Sequence, residues 1–329
     1  KWAKFNASYA YNSQPIEYFS PELSAGMYIN PLLSLKISAK PVLFQRKKED
    51  NVTVYMLKLE NRSFIKNWGV GINYSAGGIM YPDINLDVLG RLSFDKYAER
   101  YILMEAGGER KPYFNSIFSL DSPLLVNAIF GNLLLITKES WNGKASVESD
   151  FFEGIENPLT TIDSYLLTPR LKVKDFDFRI GYGINFATTK YDKFYSDKSD
   201  AEIIAGRSSE PVFLGYYYPY FTPKNQFVNN AILGIGYSPN KETNIGLRID
   251  YGFIANTEKP YYFRETNPVG AVYVSKGYRY VSYHPIDVSF SLKSYLTPKI
   301  VVNVDFNYSE NFFYVVRNLN LGLKVNFWK

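Results

Sequence analysis

The chain has 329 residues, 37 Lys and Arg against 32 Asp and Glu for a formal net charge of +5, no cysteine, 17% aromatic residues and a mean hydropathy of −0.21. This excludes disulfides, thiol nucleophiles and zinc–thiolate sites, and charge spread without long like-sign runs leaves no footprint for nucleic acid. No stretch approaches the roughly 18 apolar residues of a membrane-spanning helix, whereas a transmembrane barrel needs only every second residue apolar.

Alternation with period two runs through the N-terminal half: Phe5, Ala7, Tyr9 and Tyr11; Leu33, Leu35 and Ile37; Trp68, Val70, Ile72 and Tyr74; Ile84, Leu86 and Val88. Each set is interleaved with Lys, Asn, Ser, Gly or Asp, the mark of strands with one apolar and one polar face. The segment "IENPLTTIDS" (residues 155–164) is expected to hold a short turn or a plug. Leu171 and Val173 then lead through Lys174 and Asp175 to Phe178, Ile180, Tyr182, Ile184 and Phe186, with Asp177, Arg179 and Asn185 opposed.

Ala231, Leu233, Ile235 and Tyr237 run into "SPNKE", and Ile245, Leu247, Ile249, Tyr251 and Phe253 run out, with Gly234, Gly236, Asn244, Arg248 and Asp250 on the other face. Ile286, Val288, Phe290 and Leu292 enter the turn "YLTPK". Ile300, Val302, Val304, Phe306 and Tyr308 leave it, opposed by Val301, Asn303, Asp305 and Asn307. The chain closes on "NLNLGLKVNFWK", where Leu319, Leu321, Leu323, Val325 and Phe327 alternate with Asn320, Gly322, Lys324 and Asn326.

Connections near Lys174, Asn240 and Pro298 are a few residues long, while those from Thr188 to Asn225 and from Ala255 to His284 are long. Short periplasmic turns alternating with long extracellular loops are the habit of outer-membrane barrels. Tyr237 and Tyr295 flank the short turns, and Tyr251, Phe253, Phe306 and Tyr308 flank the long ones, as two aromatic girdles around an aliphatic belt would. A soluble β-sandwich or β-helix also alternates, but the long strands and girdles favour the membrane.

The expectation is an all-β chain: a single antiparallel transmembrane β-barrel of about sixteen strands, within roughly fourteen to eighteen, spanning the bacterial outer membrane as one domain over residues 1–329. Its last strand would close on the first, near Phe5 to Tyr11, and the start at Lys1 suggests a piece of a longer protein.

"NLGLKVNF" resembles the signal by which the barrel-assembly machinery recognises a last strand, with Asn320, Gly322, Val325 and Phe327 in its places. "TTKYDKFYSD" (188–197), "PYFTPKNQF" (219–227) and "SYLTPKIVVNVDF" (294–306), in that order, resemble the C-terminal outer-membrane β-barrel found in the exopolysaccharide export porin family of bacterial cellulose synthase. "ERKPYFNSIFSLDSP" (109–123) is similar to that family's Arg-Arg-Pro segment. Tyrosines replace a Gly-Gly pair before "PYF", Lys224 stands where Gln is usual, and Arg110-Lys111 replaces the Arg pair.

The resemblance implies a channel exporting an exopolysaccharide, cellulose or a related β-glucan, from periplasm to surface. It also implies a preceding periplasmic tetratricopeptide-repeat scaffold and an inner-membrane synthase complex as partners. Poly-N-acetylglucosamine exporters have a comparable barrel and form the alternative, followed by a general diffusion porin.

Alternation nominates Asp177, Arg179, Arg248, Asp250, Asp287, Lys293, Asn303, Asp305 and Lys324 for the lumen. There a mixture of charges and amides can hydrogen-bond a hydrated sugar chain without trapping it; the plainer reading is that they hydrate and cross-link the wall. Tyr217, Tyr218, Tyr220 and Phe221, beside Tyr216, are candidates for stacking on sugar rings at the exit, or for packing a loop. His284 is the single histidine. With Ser282 and Asp287 near it in sequence it makes only a weak case for a hydrolase, and no cofactor, metal site or enzymatic activity is expected.

Overall fold

The computed structural model describes residues 1–13, 16–30, 32–45, 50–82, 86–98, 101–114, 124–137, 140–206 and 211–327. Ile84, residues 115–123 of the Arg-Lys-Pro segment, and residues 328–329 lie outside them.

The alternating segments form strands β1 (Trp2–Asn12), β2 (Ile16–Asn30), β3 (Leu33–Gln45), β4 (Val52–Ile65), β5 (Val70–Met80), β6 (Leu86–Ala98), β7 (Ile102–Pro112), β8 (Leu125–Ile136), β9 (Asn142–Phe152) and β10 (Leu159–Leu167). They continue as β11 (Leu171–Val173), β12 (Phe176–Thr189), β13 (Phe194–Ser196), β14 (Gly215–Tyr217), β15 (Lys224–Tyr237), β16 (Thr243–Thr266), β17 (Val272–Tyr283), β18 (Ile286–Thr297), β19 (Ile300–Glu310) and β20 (Val315–Asn326). Among the described residues there is one short helix, α1 (Asp200–Ala205), started by Ser199 and Glu202 in a capping box.

Neighbours pair antiparallel in chain order, and β20 pairs back on β1 from Trp2↔Asn326 to Asn12↔Val316, so the wall has no free edge. β10 and β11 both pair with β12, and β17 and β18 both pair with β16. Each couple is one interrupted wall position, and the result is a closed barrel of 16 strands.

Both termini and the short turns at 174–175, 238–242 and 298–299 share one end, here the short-turn end. At the opposite, loop end lie two long excursions. One is the connection from β12 to β15, carrying β13, β14 and α1. The other is the predicted loop from Ala255 to His284, which is a continuous hairpin instead. There β16 and β17 stay paired from Ala255↔Tyr283 to Thr266↔Val272, beyond the level where β18 takes over as the wall partner. Strand pairing wins in that segment because Tyr, Phe and Val recur through both arms.

Candidate functional site: the lumen and its closed end

Register assigns the faces. Leu23, Leu57, Leu59, Leu92, Phe94, Ile129, Ile180, Leu233, Leu321 and Leu323 stand exposed on one face all round the wall, far more apolar surface than water tolerates in one patch. Stacked Phe176, Phe178 and Tyr237 border this belt at the short-turn end. Tyr11 and Tyr308 under Arg317, with Tyr251 stacked on His284, border it at the loop end. Tyr295 does not join the girdle: it pairs opposite Val301, and the Lys293 ammonium stands over its ring, on the inner face.

The other face is polar and self-neutralising. In the N-terminal half Lys36 joins Glu22 and Glu60, Lys58 joins Glu60 and Glu109, and Arg91 joins Glu105 and Glu109. Arg62 and Asn73 share Asp95, and Lys111 bonds Glu148. Lys58 on β4 reaches Glu109 on β7, 3.8 Å away, over β5 and β6. Ordinary strand spacing of about 4.8 Å permits this only across a tightly curved wall. Small residues allow that curvature: a Cβ on Gly107 would lie 2.5 Å from the Ser93 Cβ. A cavity of about 510 Å³ opens onto this network, lined among others by Trp2, Lys58, Arg62, Arg91, Asp95 and Glu105.

The residues nominated from sequence occupy the corresponding face of the C-terminal half. Asp177, Arg179, Arg248, Lys293, Asn303 and Asp305 line a second cavity of about 510 Å³. Arg248, Asp250 and Asp287 line a third of about 600 Å³, with Asp163, Asn185, Asn230 and Asn307. Arg248 clamps Asp250 with two bonds of 2.7 Å while its guanidinium covers Tyr165 at 4.3 Å. Lys324 stands 4.9 Å over Trp2, and Asn303 neighbours Gly322, where a Cβ would lie 3.7 Å from its amide nitrogen. Of the assembly-signal residues, Asn320 and Gly322 share this inner parity, while Val325 and Phe327 share that of outward Leu321 and Leu323.

Toward the loop end the interior turns apolar. Ile16, Val42, Phe44, Val54, Ile79 and Leu89 form a buried cluster with Tyr18 and Phe114 against it. Val126, Ala128 and Phe152 form a second with Tyr113 and Tyr220. Tyr220 has no exposed surface; its ring stacks on Phe152 at 3.5 Å and its hydroxyl donates to the Asn157 carbonyl at 2.6 Å. Burial pushes that phenol up to about 12, so it stays a neutral donor. The next residue, Phe221, packs on Phe313 and Tyr314 of the β19–β20 turn, 5.1 and 5.4 Å away. β9 and β20 stand nearly half-way round the wall from each other, so two consecutive residues bridge the barrel.

Tyr113 and Phe114 bridge similarly, Tyr113 toward Phe152 at 5.3 Å and Phe114 toward Phe44 at 5.1 Å. The plug is therefore built by three connections converging. The nominated segment 155–164 supplies only its anchor: Asn157 accepts from the Tyr191 N–H and donates to the Tyr191 carbonyl, and Leu159 begins β10.

Two of the four stacking candidates thereby take the other reading, that of packing a loop. Tyr217, 3% exposed and edge-on to Phe194, Phe221 and Phe313, and Tyr220 are spent on packing. Tyr218 is 45% exposed beyond the plug, and Phe221 alone of the four lines the third cavity. His284 lies outside against Tyr251 with Nδ1 3.1 Å from the Gly252 carbonyl, Asp287 lies inside, and Ser282 donates to Asn256 at 2.6 Å, so no nucleophile–base pair forms. Among the described residues no group of three or more His, Cys, Asp or Glu is placed to hold a metal ion.

The N-terminal ion-pair network escapes a reading by alternation alone although its signal is present, in "KLENR" and "MEAGGERK", where charges recur at every second or fourth position. The plug also has a signal: Val42-Leu43-Phe44 and Leu124-Leu125-Val126 are apolar on both parities, as strands covered on both faces are.

No family model matches the chain, and no curated protein matches it in sequence. Among solved structures, a bacterial polysaccharide outer membrane secretin superposes with a TM-score of 0.66 at 8% identity, over 99% of this chain and 98% of that one. CdiB from Acinetobacter baumannii gives 0.51 at 11% identity, over 98% of this chain and 60% of that one. The chain has the outer-membrane β-barrel fold. At these identities the likeness is one of fold alone, and the substrate has to be argued from the lumen.

Proposed function

We propose that this barrel is an outer-membrane channel that passes an exopolysaccharide, cellulose or a related β-glucan, from the periplasm to the cell surface. The observation that carries the reading is the inner wall: carboxylates and cations largely paired with one another and interspersed with Asn, Ser and Gly. Such a surface offers many exchangeable hydrogen bonds and little net field. That suits a neutral, hydroxyl-rich chain, which must be wetted at every step and held at none. The exposed apolar face with its girdles supports membrane placement, and the short turns with both termini at one end support a periplasmic entry there.

The motif resemblance to the export porin of bacterial cellulose synthase supports the choice of polymer. Two stretches that carry it meet in the plug: the Lys193 N–H donates to the Thr222 hydroxyl at 2.7 Å, and Asn157 holds both Tyr191 and Tyr220. A periplasmic scaffold and an inner-membrane synthase as partners belong to the same proposal.

Calorimetric titration of the detergent-solubilised protein tests it. Soluble β-linked glucose oligosaccharides are expected to bind weakly and saturably, with a Kd on the order of 1 mM, about −4 kcal/mol. Stronger binding of β-linked N-acetylglucosamine oligosaccharides would transfer the reading to that polymer, and binding of neither would favour a diffusion porin.

A further inference from the structure

We propose that the β16–β17 hairpin and residues 190–206 and 211–223 of the β12–β15 connection form one latched gate over the loop end of the lumen, opened as a unit by movement of the hairpin. The inference rests on the channel reading above and on contacts of residues 190–194 and 211–223 with their surroundings.

The connection is fastened to the hairpin by its strongest bonds. Asp192, its side chain 3% exposed, takes Lys276 as an ion-pair partner and accepts from the Tyr278 hydroxyl. Lys276 also donates to the Phe194 carbonyl at 2.9 Å, as does the Tyr262 hydroxyl at 2.9 Å. Val212 and Tyr262 exchange backbone bonds of 2.7 and 3.0 Å, which makes the connection a partial third strand of the hairpin. Its hold on the remaining wall is more extensive but neutral: the Tyr220 ring on Phe152, three hydrogen bonds with Asn157, one with Tyr113, two from Thr189 to the Pro223 carbonyl, and the Tyr217 and Phe221 rings on the β19–β20 turn. Charge-assisted bonds among half-buried groups outlast such contacts, so the connection parts from the wall before it parts from the hairpin.

The hairpin in turn has a hinge. β16 shifts register against β15 between Asn229 and Asn230, leaving Phe253 as the extra residue. At the same level β17 and β18 are separated by His284 and Pro285, the second without an N–H, with Gly252 bonded to the Pro285 carbonyl. Below this level β16 is paired on both sides, with β15 and with β18. Above it β17 pairs only with β16 among the described residues. Two adjacent wall positions are thus irregular at one height, where bending disturbs the fewest bonds; above it β16 keeps its pairing with β15 from Asn229↔Ile254 to Lys224↔Glu258, so the top of β15 moves with the hairpin. Swinging the hairpin outward withdraws Tyr220 and Phe221 and opens the space between β9 and β20.

The test is ionic current through the purified protein in planar bilayers, without sugar, using two cysteine pairs in a chain that has none of its own. Val212→Cys with Tyr262→Cys, oxidised to a disulfide, ties the connection to the hairpin, and Phe152→Cys with Tyr220→Cys, bridged by a short bis-thiosulfonate reagent through two reducible disulfides, ties it to the wall. Each variant, checked for heat-modifiable mobility on gels, is compared with itself after reduction. The gate predicts that the first tie leaves the frequency of opening within twofold of the reduced protein and that the second suppresses opening at least tenfold, reversibly. Suppression by the first tie, or free opening with the second, would overturn it. Absence of current in every state of both variants would overturn the channel reading, and the gate with it.

Discussion

Tyr220 shows what a residue's neighbours add to its identity. An aromatic cluster at a loop's return is legible in the sequence, but a loop has no period, so nothing in "GYYYPYF" says which rings face water and which are spent inside. Tyr220→Phe would leave the Asn157 carbonyl without its donor, costing about 1–3 kcal/mol. Tyr220→Ala also empties the stack on Phe152, costing about 3–5 kcal/mol. The current should then show openings more frequent in the Phe variant and more frequent still in the Ala variant; equal behaviour of all three proteins would remove Tyr220 from the plug's energetics. In the lumen, Arg248 is the cation among Asp163, Asp250 and Asp287 in the third cavity. Arg248→Ala is expected to shift the reversal potential in a salt gradient toward cation selectivity, and an unchanged potential would mean that these carboxylates do not face the conduction path.

Elements are legible in proportion to how different their two faces are. β12, β15, β16, β18, β19 and β20 have an apolar outer and a polar inner face, and their alternation is plain. β3 and β8 are apolar on both faces near the plug, so the period is lost there. The hairpin above Ala255 reads as a loop in the sequence because its aromatics show no lipid-facing belt; its backbone pairing with β17 has no sequence mark comparable to a tight turn. The last strand carries the sharpest expectation at this scale. Val325 pairs with Ala3 on one side and Ile300 on the other, and Asn326 pairs with Trp2, so these residues help seal the wall at the short-turn end. Deleting Val325 to Lys329 is expected to prevent stable insertion. A truncated chain that stays membrane-resident and heat-modifiable would show that closure does not depend on them.

At the scale of the whole molecule, the lumen is layered: ion-paired and wet from the short-turn end through the middle, apolar and packed at the loop end. Under the proposed function, the polar, neutralised interior is the part a hydrated polymer would pass through and the apolar layer the part that would close the channel in its absence. The sequence disclosed the first layer through alternation and hid the second, because the plug is assembled from connections far apart in the chain: Tyr113 and Tyr220 each stand in a Pro-Tyr-Phe, but nothing in the sequence joins either to Asn157 or Tyr314. The central claim, that a polysaccharide passes through this barrel, is tested most directly by deleting the gene and measuring secreted polysaccharide by dye staining and glycosyl analysis, with complementation by the full-length gene. The account predicts that secreted glucan disappears on deletion and returns on complementation; undiminished surface polymer in the deletion strain would contradict it.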